Sequence, residues 1–276
     1  MRLFTARILS LLLAGSALAS CSSNPYSPTN KVYKSKAKEY ARTLRTYPVE
    51  TAGQDSLQMG DYFVGSTNFS IRKPNYVVIH HTAQDSTAQT LRTFTLPRTG
   101  VSSHYVIGRD GKVYQMLSDY YRAHHAGISK WGNNSDLNSS SIGIELDNNG
   151  YEPFAEAQMV SLIKVLGMLK KTHGIPDANF IGHSDIAPSR KVDPNPTFPW
   201  KRLAEKGFGL WPDSTTTDSV PESFSPKEAL RIIGYNVTNL DAAIKAFKLH
   251  FIQTDITPVL REEDKKVLYN LYQKYL

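Results

Sequence analysis

Residues 181–200 read IGHSDIAPSRKVDPNPTFPW. Pro188, Pro194, Pro196 and Pro199 rule out a continuous helix here, because each removes a backbone donor and restricts the residue before it. The stretch is therefore a stiff loop, and it carries His183, Asp185, Lys191 and Asp193. Just upstream, NFIGH (179–183) reads as a short strand that delivers His183 to its end.

Working outward, YVVIHH (76–81) is an apolar, β-branched run ending in His80 and His81, and LRTFTL after it predicts a helix. HYVIGRDGKVYQML (104–117) predicts a hairpin, since alternating apolar residues flank Asp110-Gly111, a pair that supplies positive φ in a tight turn. SIGIELDN (141–148) reads as a further buried strand. Residues 155–172 set Met159, Leu162, Ile163, Leu166 and Leu169 at helical spacing, with Gly174 as a stop. Strands interspersed with helices, one pair joined by a hairpin, predict an α/β fold with a mixed β-sheet flanked by helices.

Beyond a Ser/Thr/Pro-rich segment at 210–226 the texture turns helical. LDAAIKAFKLHF places Leu240, Ile244, Phe247 and Phe251 on one face, and DKKVLYNLYQKYL places Leu268, Leu271 and Tyr275 on another. This predicts a small C-terminal three-helix domain.

The other end differs. Arg2 and Arg7 precede ILSLLLAGSALA, an apolar run too short to span a bilayer, which ends in LASC. That is a secretory signal. Cys21 is the single cysteine, placed where Ala19 and Ser20 permit cleavage, a pattern that resembles a bacterial lipobox and implies lipidation of Cys21. A plain signal peptide followed by a chance cysteine is the alternative. Residues 22–68 are polar and basic and read as a tether, with a short helix over 34–45. The expected boundaries are thus a signal peptide at 1–20, a tether at 21–68, an α/β domain at 69–212, a linker at 213–224 and a helical domain at 225–276.

Hydrophobic residues make up 40% of the chain and charged residues 21%, the balance of a soluble globular protein. The formal charge is +7; without Arg2 and Arg7 it is +5, 30 basic against 25 acidic residues. A modest positive excess suits an anionic polymer such as a cell wall, or a lipid surface. Nucleic acid is not an expected partner, because the chain is read as exported and its basic residues are scattered. One cysteine excludes disulfides within a chain and any cysteine-based zinc site, so a metal here must use His and carboxylates. His80, His183 and Asp193, two imidazoles and a carboxylate at strand ends and on the loop, meet the requirement of a catalytic zinc site. From spacing alone the signal is weak, since scattered histidines are commonly core or surface residues.

VVIHHTA, SSHYVIGRDGKVYQ, HHAGIS, SIGIELDN and IGHSDIAPSRKVDPNPTFPW, in this order and spacing, resemble the zinc-dependent N-acetylmuramoyl-L-alanine amidases of the second amidase family, in particular their AmiD-like lipoprotein branch. The resemblance covers about residues 70–212, and the C-terminal segment is similar to the peptidoglycan-binding domain of that branch. It implies Zn2+ held by His80, His183 and Asp193, Glu145 as the catalytic carboxylate, Lys191 as the oxyanion partner and His125 as a substrate contact. It also implies peptidoglycan and muropeptides as substrates and hydrolysis of the amide between N-acetylmuramic acid and L-alanine. The corresponding location is an exported, membrane-anchored lipoprotein, expected at the outer membrane facing the periplasm, with a tethered monomer as the simplest state. Zinc-bound water attacks at neutral pH, and a carboxylate and a lysine at the site suit proton transfer and oxyanion stabilisation.

Bland readings stand beside these. Glu145 could be a structural acid and Lys191 a solvated loop lysine. Adjacent strand residues face opposite ways, so if His80 faces a metal, His81 packs behind it. Asp185 reads as ordering the loop. The chain departs from relatives at Ser103, where they carry a tyrosine, and at His124, where they carry Trp in a Trp-His-Ala-Gly motif. A non-catalytic peptidoglycan-binding lipoprotein is the other functional reading, although such relatives typically lack a zinc ligand.

Overall fold

The structure is a computed structural model that describes residues 24–45, 66, 68, 71, 73–213 and 219–276. The signal peptide, Cys21 and much of the tether lie outside the described residues. The chain divides into two units, 1–67 and 68–276. In the first, helix α1 (Ser27–Thr43) buries no side chain. It begins earlier than the 34–45 expected from the sequence, because Pro28 in its first turn is compatible with helix initiation.

In the second unit the order is β1 (Tyr76–His81), α2 (Thr87–Thr95), β2 (Tyr105–Ile107), β3 (Val113–Gln115), α3 (Leu137–Ser140), β4 (Ser141–Leu146) and α4 (Glu156–His173). There follow β5 (Phe180–Gly182), α5 (His183–Ile186), α6 (Trp200–Ala204), α7 (Pro226–Ile233), α8 (Leu240–Phe251) and α9 (Glu262–Lys274). The five strands form one mixed sheet in the order β3-β2-β4-β1-β5. Only the β2–β3 pair is antiparallel, joined by the expected hairpin with Gly111 at φ +79°. α4 stops where expected, with Gly174 left-handed at φ +67°.

Strand alternation assigns the two faces. Val77 and Ile79 of β1 and Ile142, Ile144 and Leu146 of β4 pack on one side with Met159, Leu162, Leu166 and Leu169 of α4. The opposite face carries Val78 and His80 from β1, and Ser141, Gly143 and Glu145 from β4. Val78 and Ile181 join an apolar cluster with Ile186 of α5, Leu230 and Ile233 of α7, Phe247 of α8 and Leu268 and Leu271 of α9. The three C-terminal helices thus close over the sheet and share its core.

Asp185 ties this packing together. Its carboxylate is buried and accepts hydrogen bonds from the Gly182 backbone N–H (2.7 Å), the Tyr235 hydroxyl (2.7 Å) and His250 Nδ1 (2.7 Å). The His250 ring is stacked between Trp200 and Phe251, with centroids 3.9 and 4.0 Å away.

Candidate metal centre and cleft

The site forms at the C-terminal ends of the parallel strands, where an open α/β sheet leaves side chains uncovered by the next strand. β1 contributes His80, and β4, hydrogen-bonded to it in parallel, contributes Glu145 at the paired position. β5 ends at Gly182, so His183 starts α5 at the same level. The loop then returns Asp193, whose backbone carbonyl accepts from Ser184 N–H at 2.8 Å.

These elements bring three buried ligand atoms together. His80 Nδ1 lies 2.8 Å from His183 Nδ1 and 3.1 Å from Asp193 Oδ2, and His183 Nδ1 lies 3.0 Å from the same oxygen. Among the described residues this is the one His/Asp/Glu/Cys group able to hold a metal ion. Burial, reinforced by the neighbouring His183, lowers the His80 pKa to about 4, so the imidazole is neutral and offers a lone pair. Burial works against the Asp193 carboxylate, but the adjacent His183 and His80 rings outweigh it and hold its pKa well below the usual range. Only one proton fits between the two facing imidazole nitrogens, whereas a cation at the centre of the triangle satisfies all three atoms. Two nitrogens and one carboxylate oxygen are a donor set that zinc accepts.

Both histidines are held from behind. His183 Nε2 donates to the Ala126 carbonyl (3.1 Å), and His80 Nε2 lies 3.0 Å from His125 Nδ1. Asn138 Oδ1 accepts from the backbone N–H of both His125 and Ala126, at 3.0 and 2.8 Å.

A cleft of about 410 Å3 opens over the triangle, lined in part by Glu145, Lys191, Thr90, Phe94 and His124. Glu145 is buried, and its Oε2 has no hydrogen-bond partner. Burial, with the nearby Asp193 charge adding to it and Lys191 opposing it, pushes its pKa up to about 8. A carboxyl group poised in this way can both take and give a proton near neutral pH.

The structure brings all the sequence-predicted site residues among those described to this one region, and His125 both lines the cleft and lies against His80. It is buried, with one ring nitrogen on His80 and the other 3.2 Å from Ser141 Oγ, and burial lowers its pKa well below the ordinary value. His124 is exposed at the rim with Nδ1 3.2 Å from the Gly100 carbonyl. Ser103 is buried and donates to the Gly143 carbonyl at 2.7 Å, a structural hydroxyl. His81 Nδ1 accepts from Asn195 N–H at 3.1 Å. Sequence reasoning missed Ser141, Asn138 and Ala126, the parts that hold the histidines. The alternation in SIGIEL, with Ser141, Gly143 and Glu145 on one face, was the available signal.

A family profile described as N-acetylmuramoyl-L-alanine amidase matches residues 70–196. The N-acetylmuramoyl-L-alanine amidase AmiD of Escherichia coli (strain K12) is 34% identical over 230 residues, spanning 72% of this chain and 82% of that protein. The chain belongs to the N-acetylmuramoyl-L-alanine amidase family. Solved structures agree with this amidase assignment. E. coli AmiD in complex with the substrate anhydro-N-acetylmuramic acid-L-Ala-D-gamma-Glu-L-Lys superposes with a TM-score of 0.67 at 30% identity, over 80% of this chain and 96% of that one. AmpDh3 from Pseudomonas aeruginosa gives a TM-score of 0.69 at 28% identity, over 79% and 99%. The amidase fold expected from the sequence, a mixed sheet flanked by helices, is the fold these structures share with this chain.

Proposed function

We propose that this amidase uses a zinc ion held by His80, His183 and Asp193 to hydrolyse the amide bond between the lactyl group of N-acetylmuramic acid and the L-alanine of the stem peptide. The observation that carries the proposal is the buried His80–His183–Asp193 triangle at the floor of a cleft, with Glu145 paired beside His80 on the neighbouring strand. E. coli AmiD, solved with an anhydro-muropeptide, supports the substrate class.

When bound, zinc supplies Lewis acidity, polarising the scissile carbonyl and acidifying water at neutral pH. The remaining steps belong to the chain. Glu145 takes a proton from the attacking water as the new C–O bond forms. It then delivers that proton to the departing alanine nitrogen as the C–N bond breaks. Lys191 lines the cleft, and in this reading its ammonium neutralises the oxygen that accumulates charge between these events.

Mass spectrometry of defined muropeptides tests this, using zinc-loaded chain lacking residues 1–21. Release of stem peptide beginning at L-Ala, lost in His183→Ala, is the expected result. Intact muropeptide with fully zinc-loaded protein would overturn the hydrolase reading in favour of peptidoglycan binding without cleavage.

The envelope location is part of the same proposal. Arg2, Arg7, the apolar run and LASC support export and lipidation at Cys21, with residues 22–68 linking a monomeric enzyme to the outer membrane on its periplasmic side. Cys21→Ser then shifts the protein from the membrane pellet to the soluble fraction; a variant that still pellets would count against the anchor.

A further inference from the structure

Behind the metal triangle, hydrogen bonds run from His80 through His125 and Ser141 to the backbone carbonyl of Leu137. A carbonyl only accepts, so the single Ser141 hydroxyl proton points at Leu137 O. Ser141 Oγ is then an acceptor, which puts the ring proton of His125 on Nε2, 3.2 Å away. His125 Nδ1 is left with its lone pair, and accepts from His80 Nε2–H at 3.0 Å. With its proton on Nε2, His80 turns a bare Nδ1 toward His183 and Asp193. Every link is directed by the one before it.

We infer that His125 is a positioning residue for the metal centre, the middle link of a one-way hydrogen-bond chain that sets the tautomer and ring orientation of His80. The inference rests on the metal-centre reading above and assigns to His125 a positioning role in addition to the expected substrate contact. β4 is built for it. Ser141, Gly143 and Glu145 share one face, with Ser141 ending the chain and Glu145 reaching the cleft. Between them Gly143 leaves room for the imidazole, since a Cβ there would lie 2.4 Å from His125 Cγ. The next residue serves the other histidine: the Ala126 carbonyl takes the Nε2 proton of His183, so both ligands present Nδ1. Outer partners of this kind fix how a histidine meets its metal.

The test measures zinc affinity by chelator competition on the full-length chain in detergent, with circular dichroism to establish folding. His125→Leu is expected to weaken zinc binding by roughly 10–100-fold, the range for losing an outer hydrogen-bond partner. In His125→Asn the amide oxygen stands close to the former Nδ1 and recovers most of that loss. Equal affinity in wild type and His125→Leu overturns the inference, as does a loss that His125→Asn leaves uncorrected. Should His125→Leu fail to fold, nitrogen-15 NMR of the zinc-loaded wild type decides: protons on Nε2 of both His80 and His125 support the chain, and a proton on His125 Nδ1 overturns it. A wild type that binds no zinc sinks the metal-centre reading together with this one, a result distinct from a zinc-binding wild type with a silent His125→Leu.

Discussion

His250 on α8 donates through Nδ1 to Asp185 Oδ2 at 2.7 Å, which joins the C-terminal helices to the residue two positions after His183 of the candidate metal cluster. Tyr235 and the Gly182 backbone N–H converge on the same carboxylate. Asp185→Ala therefore strands three buried donors, each costing about 1–3 kcal/mol. Chemical denaturation is expected to register a loss of several kcal/mol, together with weakened zinc binding. A variant as stable as wild type would show that the carboxylate carries none of this packing.

Truncation after Asp213 follows from the same contacts. It removes α7, α8 and α9 and uncovers Val78, Ile181 and Ile186, which are at most 2% exposed in the intact unit. The truncated chain is expected to be aggregation-prone and to hold zinc poorly, as measured by size-exclusion chromatography and metal content. A soluble, zinc-loaded truncation would establish the helices as a separable module whose contribution could lie in wall affinity alone.

Glu145→Gln should abolish turnover while stabilising the metal-free protein at alkaline pH. In the folded chain Glu145 holds its proton up to about pH 8, against 4.5 for an ordinary glutamate. Below pH 4.5 it is protonated in both folded and unfolded states. Between 4.5 and 8 only the unfolded state gives up the proton, so stability falls as pH rises, by up to about 1.4 kcal/mol per unit, and levels off above 8. Glutamine does not titrate. Its advantage in EDTA is therefore absent at pH 4 and full at pH 8 and above, as urea melts at the two pH values would reveal; a pH-independent difference would contradict the burial cost.

Much of this architecture was legible because local chemistry decides it. Asp110-Gly111 forces the hairpin, and Gly174 ends α4 in a left-handed conformation that other residues resist. The His80–His183–Asp193 cluster was visible mainly through its motifs, since nothing local tells His80 from His81 except which strand face is covered. The contacts behind His125 were hidden for a physical reason. The direction of its ring depends on the missing side chain at Gly143 and on a hydroxyl at Ser141, both on a strand that follows it in the chain. The union of the C-terminal helices with the sheet was likewise hidden, because Asp185 meets partners 50 and 65 residues away.

Gly143→Ala probes that hidden packing directly. The added Cβ would meet His125 Cγ at 2.4 Å, with neither the sheet backbone nor the ring able to yield cheaply. Overpacking of this kind costs about 1–3 kcal/mol. Displacement of the ring also breaks its bond to His80, so zinc affinity should fall along with stability in chelator competition. Unchanged affinity would mean that the ring can move without disturbing His80.

Lys191 separates chemistry from metal binding. Its backbone N–H donates to the Ala187 carbonyl at 3.0 Å, which fixes the loop independently of the side chain, and the side chain lines the cleft. Loss of a donor aimed at developing charge typically lowers kcat by about 10²–10³-fold. Lys191→Met is expected to fall in that range while zinc content and melting temperature stay near wild type. A drop in KM-dependent binding with kcat preserved would instead place the ammonium on the ground-state substrate, for example on a carboxylate of the stem peptide. A variant with unaltered kinetics would make Lys191 a solvated loop residue and leave charge stabilisation to the metal.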